Sequence, residues 1–391
     1  MRLFLCGDLM LARGIDQILP YPTDPTLHEP YVRDARRYVE LAEEVNGPIP
    51  RSTDYAYIWG DMLPVLSETE PDFVIGNLET AVTDAGDFAP AKSIHYRMSP
   101  RNLAVLHTAG FDCVSLANNH ILDFGTAGLA ETLHHLDEED LGYCGSGHDK
   151  PEATSPWTAR SSAGTDLRVF GLGHRSSGIP KSWAAGPHAP GVWTGAGIAD
   201  IIATVSAPTG QTPSRRTEET MDRRRPFGPE TLKPSMQRQP APGVHVLSVH
   251  WGENWGYHIP PRRREAARAF IDNAGVTIVH GHSSHHPQGI ELHGGALILY
   301  GCGDLLNDYE GIGGHEQYRP DLTAAYVVDV DDATLRVTSV TAIPFRIRRF
   351  RLERAHPGDA AWLARTLERS SPSRTVRTGV TNHDTIEVRP S

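Results

Sequence analysis

The sequence predicts a mixed α/β fold on three observations. Short apolar runs recur and end in Gly, Asp, Asn or His: "RLFLCGD", "DFVIGNLE", "DCVSLANNH", "DLRVFGLGH", "VHVLSVHWG", "VTIVHGH" and "ALILYGCGD". Runs of that length between turn formers suit buried strands. Helical stretches alternate with them: "PRNLAVLHTAG" and "TAGLAETLHHLDEEDLG" end in a Gly stop, and "PPRRREAARAFIDNAG" has Pro at its start and Gly at its end. Third, the residues able to do chemistry stand at the C-terminal ends of the runs, where open α/β sheets bind ligands.

The organisation reads as one domain over 1–350 followed by a short helix and polar tail over 351–391. Within the domain, 207–243 is rich in Pro, Thr and Arg and poor in aliphatics, the composition of a surface excursion or partly disordered insertion. "AAYVVDVDDATLRVTSVTAIPF" predicts an antiparallel hairpin around Asp331-Asp332.

Composition narrows the function. A net charge of −11 argues against nucleic acid or anionic lipid as the main partner and leaves room for a local basic pocket; the expected partner is a small-molecule or peptide-like anionic substrate. The first apolar run is broken by Gly7-Asp8 with no cleavage site after it, and no stretch is long enough to span a bilayer, so a cytoplasmic protein is expected. The four cysteines form no CxxC pair and sit mostly in apolar runs, the setting of buried thiols. That placement, with no GxSxG, argues against a Cys or Ser nucleophile.

The strand ends hold a metal-ligand vocabulary. Asp8 follows "FLCG"; Asn77 and Glu79 sit in "IGNLET"; Asn118, Asn119 and His120 in "SLANNH", with Asp123 just beyond; His250 in "SVHWG". His280, His282, His285 and His286 crowd "VHGHSSHHPQGIE". Any one has an ordinary explanation: Asp after a strand is usually a cap or turn residue, and His in a strand is usually a satisfied core residue. Together at one sheet edge, oxygen and imidazole donors suit divalent Mn, Fe or Zn. Two such ions roughly 3.5–4 Å apart can activate water and clamp an ester, with Glu79 as the candidate bridge.

The series "GDLMLARG", "NLET", "SLANNHILDFG", "VHWG" and "GHSSHHPQGIE…ILYGCGD" resembles the motif series of the CapA, or poly-γ-glutamate capsule biosynthesis, family of the calcineurin-like metallophosphoesterase superfamily. The resemblance covers residues 1 to about 345. It implies a four-layer αββα sandwich with a dimetal centre between the sheets. By position it implies Asp8, Glu79, Asn119, His250, His282 and His285 as metal ligands, and His120 as the group that protonates or stabilises the leaving group. Three features depart from the pattern. Met10 stands where the superfamily has the His of Asp-x-His, Ser283-Ser284 interrupt the closing histidines, and "GCGDLL" replaces the usual Ser-Leu-Gly-Asn-Phe. His280 is therefore open to two readings, a substitute ligand or a residue that orients one.

Asp123 is expected to fix the His120 tautomer, or to cap the next helix. Substrate-facing candidates are Arg13, Arg97, Asn77, Trp251 and Glu253, with Asn254, Trp255 and His258 forming a lid or packing under the next helix. The expected function is a soluble metal-dependent hydrolase in which metal-bound hydroxide attacks a phosphoester or a γ-glutamyl-type amide. The alternative is a non-catalytic metal-binding partner of a polymer-synthesis complex, favoured by Met10 and opposed by the retained Asn119-His120 pair.

Overall fold

A computed structural model describes residues 1–90, 92–207, 242–372 and 376–391. Nearly all of the expected insertion at 207–243 lies outside the described residues. Two large sheets organise the rest. In the first, Arg2–Leu9, Phe73–Leu78, Cys113–Ser115 and Gly142–Cys144 run parallel in that order. Leu322–Val330 and Val337–Ile347 extend it antiparallel on the other side of Arg2–Leu9, as the expected hairpin. In the second, Asp166–Gly173, Val244–His250, Ile278–His282 and Ala296–Leu299 run parallel, edged by Trp157–Arg160 and Ile290–His293.

The period of two along each strand sorts the core. Met1, Leu3 and Leu5 from the first sheet share an apolar cluster with Val244, Val246, Ile278 and Leu297 from the second. The intervening Phe4 and Cys6 pack instead with Ile15, Val39, Val65 and Leu129 of helical segments. On the second sheet, Leu247, Val249 and Val279 pack against Ala266, Phe270 and Ala274 of the helix Pro261–Ala274. That helix begins on Pro and ends at Gly275, whose φ of 67° gives the left-handed cap that Gly tolerates best. All four cysteines are buried and unpaired.

The same alternation makes one face change character along its length. Val244 and Val246 are followed on that face by Ser248 and His250, and Ile278 by His280 and His282. An apolar face thus turns polar at its C-terminal end. Opposite it, the first strand carries Asp8, and the short strand Asp304–Leu306 pairs parallel with it, Asp304 beside Asp8. Gly7 is needed there, because a Cβ at that position would lie 1.8 Å from the Gly303 carbonyl oxygen.

The expectation of a polar tail is amended. After the helix Pro357–Ser370, Val376–Val380 and Ile386–Pro390 form a hairpin that pairs with Val337–Ile347 and so joins the first sheet. Its alternating Ile386 and Val388 are buried beneath polar neighbours. A period-two pattern that short is easily read as coil. Among the described residues, no helix is long and apolar enough to cross a membrane.

Candidate metal centre

Three strand ends bring Asp8, His250 and His282 together, each buried. The two imidazoles face Nδ1 to Nδ1 at 2.8 Å, and the Asp8 Oδ1 lies 3.7 Å from His282 Nδ1 and 4.0 Å from His250 Nδ1. Asp8 is held in place by Asn77, which donates to Oδ1 at 2.7 Å, and by the Ser283 N–H, which donates to Oδ2 at 3.0 Å. Ser283 makes that bond with a φ of 98°, an uncommon conformation for a residue with a Cβ.

Glu79 leans in from the end of the neighbouring strand. Its Oε1 is 3.7 Å from both His250 Nε2 and His120 Nε2, and its buried Oε2 receives no hydrogen bond among the described residues. Burial, then the adjoining Asp304 charge, push the Asp8 carboxyl up to about 7. Burial, then Asp8, push Glu79 well above the carboxylate range. Burial holds His250 and His282 well below the usual imidazole range. Buried carboxylates crowded with neutral imidazoles, one oxygen lacking a donor, form a setting that a cation relieves. The donor set fits a borderline divalent ion such as Zn, Mn or Fe. Asn119 approaches from the other side, its Oδ1 2.9 Å from His250 Nε2.

Beside this group, His120 Nδ1 is 2.6 Å from Asp123 Oδ2, and the ring stacks on Tyr96 at 4.0 Å between centroids. Asp123 also accepts from the Tyr96 N–H at 2.8 Å. Lys92 completes the arrangement. Its ammonium bonds to Asp123 Oδ1 and the Asn119 carbonyl and lies 3.0 Å from His120 Nδ1. Burial, then the Lys92 charge, drive the His120 imidazole well below its ordinary range, so it is neutral. Burial raises Asp123 to about 6 against the opposing pull of Lys92.

His285 stands on the other flank, Nδ1 against Asp304 at 2.9 Å and Nε2 against the Asn254 amide at 2.9 Å. Burial, the largest single influence, lowers it, but Asp304 and then Asp8 together outweigh burial and the net shift is upward. Trp255 stacks on His315 at 3.9 Å and reaches His285 and His286, so it walls this flank; Tyr318 stacks on His286 at 4.8 Å. His280 is not turned toward Asp8: its Nε2 meets the Cys6 carbonyl at 2.8 Å and its Nδ1 the Ser248 hydroxyl at 3.1 Å. That is the orienting place of its two readings.

The substrate-facing candidates scatter. Arg13 is buried and donates to Asp308, Glu29 and Tyr38, so its charge is already matched inside the fold. Asn77 is fully buried and divided between Asp8 and Asn118, which makes it a positioning residue. Trp251 is core: it packs behind the second sheet and donates to the Tyr300 carbonyl at 2.9 Å. Arg97 lies over the Phe124 ring at 3.6 Å and donates to the Ala85 and Gly86 carbonyls. Glu253 is exposed. Four of the five are thus engaged by other parts of the fold, since nearness in sequence to a motif does not by itself put a side chain in the site.

Residues that sequence reasoning passed over are Lys92, Asp304 and Ser248. Asp304 carried a signal, since Cys302-Gly303-Asp304 repeats Cys6-Gly7-Asp8 at a second strand end. Lys92, in "PAKSIHYRMSP", and Ser248, inside an apolar strand, carried none.

The profile of the bacterial capsule synthesis protein family PGA_cap matches residues 2–309. A probable polyglutamine synthesis accessory protein of Mycobacterium tuberculosis is 41% identical over 390 residues, spanning 99% of this chain and 95% of the relative. The PGA biosynthesis protein CapA of Bacillus subtilis is 26% identical over 290 residues, 73% of this chain and 64% of that one. The capsule biosynthesis protein CapA of Bacillus anthracis is 26% identical over 260 residues, 64% of this chain and 54% of that one. With the motifs above, these matches make the chain a member of the PGA_cap family of bacterial capsule synthesis proteins, the CapA family that its sequence resembles.

Proposed function

We propose that the protein is a metal-dependent hydrolase of poly-glutamate metabolism, acting on an anionic phosphoester or γ-glutamyl-type amide. The observation that carries the reading is the convergence of Asp8, His250 and His282 around Glu79, with the His120–Asp123 pair alongside. The proposed ligands are Asp8, His250 and His282 for one ion, with Glu79 and Asn119 shared toward a second and His285 flanking through Asp304. We read the two sheets as the inner layers of an αββα sandwich, supported by the apolar cluster they share and the helices packed on their other faces.

A divalent ion bound there supplies Lewis acidity and makes hydroxide available near neutral pH. The chain's own residues do the rest. Asp123 holds the Nδ1–H tautomer of His120 and leaves the bare Nε2 facing the site, where it can take the proton released by the attacking water and pass it to the leaving group. Lys92 balances the Asp123 charge. Asn77 and the Ser283 N–H hold Asp8 in one orientation.

The test is His120→Ala, assayed on bis(p-nitrophenyl) phosphate and γ-glutamyl-p-nitroanilide with metal content measured in parallel. The reading expects unchanged metal and turnover lower by about 10²- to 10⁴-fold on one substrate. The second reading, a non-catalytic accessory protein, is favoured by the internal neutralisation of Arg13 and by the word "accessory" in the name of the mycobacterial relative. Metal-loaded wild type that turns over neither substrate would support it.

A further inference from the structure

We propose that Ser248 and His280 form a one-way hydrogen-bond chain, anchored on the Cys6 carbonyl, that holds His282 in the Nε2–H tautomer and presents its Nδ1 lone pair to a divalent cation. The inference rests on the metal-centre reading of Asp8, His250 and His282 and names what sets that site.

The proton positions follow from the chemistry of the partners. A backbone carbonyl only accepts, so the 2.8 Å contact from His280 Nε2 to the Cys6 oxygen requires a proton on Nε2. His280 is fully buried, and among the described residues no carboxylate lies within ion-pairing distance of it, so the ring is neutral and its Nδ1 can only accept. The group in contact with that Nδ1, at 3.1 Å, is the Ser248 hydroxyl, which therefore donates. A hydroxyl has a single hydrogen. Toward its other neighbour, His282 Nε2 at 2.9 Å, Ser248 must accept, so the His282 proton is on Nε2.

The outcome is a bare Nδ1 on His282, facing Asp8 Oδ1 at 3.7 Å. The His250 side converges on the same state: its Nε2 meets the Asn119 side-chain oxygen Oδ1 at 2.9 Å, which places a proton there and leaves Nδ1 bare. Two imidazole lone pairs then face each other at 2.8 Å beside a carboxylate, an arrangement that repels unless a positive charge sits among them. A ligand whose tautomer is fixed in advance binds without first rearranging its proton. Ser248 and His280 are positioning residues; neither touches the ion.

The experiment compares Ser248→Thr with Ser248→Val, two side chains of the same shape of which only Thr keeps the hydroxyl. Zinc affinity is measured by chelator competition, and the histidine ring nitrogens of each metal-free protein are read by ¹⁵N NMR. The proposal expects the Thr variant to keep wild-type affinity, the Val variant to lose about 10- to 100-fold, and His282 to show Nε2–H in wild type. Equal affinity in the two variants, or Nδ1–H on His282 in wild type, would overturn it. If wild type takes up no metal, the metal-centre reading fails, and the nitrogen shifts alone still decide the chain: Nε2–H on His282 upholds it and Nδ1–H ends it.

Discussion

Asp8 and Asp304 stand in register on adjacent parallel strands, each closing a Cys-Gly-Asp triplet, though 296 positions separate them by their numbers (304 minus 8). Their closeness helps set the charge state of Asp8. Burial and Asp304 together hold Asp8 up at about 7.

That shift has a definite sign. A carboxyl whose folded pKa lies above its unfolded one contributes stability that is complete below the unfolded value, about 3.9, and is lost as pH rises through the folded value. Metal-free protein therefore loses this contribution between pH 4 and about 7. A bound cation favours the ionised form and removes the loss. The gap in melting temperature between zinc-loaded and metal-free protein should widen from pH 6 to pH 8, and Asp304→Asn should move the widening to lower pH. A pH-independent gap would count against the assignment.

Gly7→Ala probes the close approach of the Asp8 and Asp304 strands. Its Cβ would meet the Gly303 oxygen at 1.8 Å, and backbone cannot step aside as a flexible side chain can. Overpacking of this kind costs about 1–3 kcal/mol or more. Calorimetry should show a lower melting temperature and chelator competition weaker zinc binding, because the strand that carries Asp8 is displaced.

Arg13→Met separates a structural from a substrate role. The substitution strands Glu29 and Asp308 without their cation, and breaking a buried pair this way costs about 3–5 kcal/mol. Denaturant unfolding should show that loss. A variant of wild-type stability with a raised KM would restore Arg13 as a substrate contact.

Lys92→Met tests the cation beside His120. The Lys92 charge lowers the His120 pKa and also offsets the Asp123 carboxylate, so its removal raises the His120 pKa on both counts. An NMR titration of the His120 ring should show the upward shift with metal content unchanged. An unmoved pKa would mean that Lys92 is only a loop tether.

Much of this was legible from the sequence because two signals coincide at strand ends. The alternation Val244, Val246, Ser248, His250 fixes a face, and the turn that follows fixes an end, so His250 could be placed before any coordinates. Asp8 and His282 were legible for the same reason. The roles of Arg13 and Asn77 were not: Arg13 meets a carboxylate 295 positions away and Asn77 bonds to Asp8 69 positions away, and nothing local encodes either contact. Lys92 reaches Asp123 from a loop without period, where side-chain direction has no sequence signature. Trp251 follows a ligand directly and therefore points to the opposite face, which the strand period could have foretold.

The most direct measurement is metal content per chain, by plasma mass spectrometry on untagged protein, for wild type beside Asp8→Ala and His282→Ala. The account predicts at least one equivalent of Mn, Fe or Zn in wild type and its loss in both variants. Wild type that stays metal-free after reconstitution, or variants that keep the ion, would contradict it.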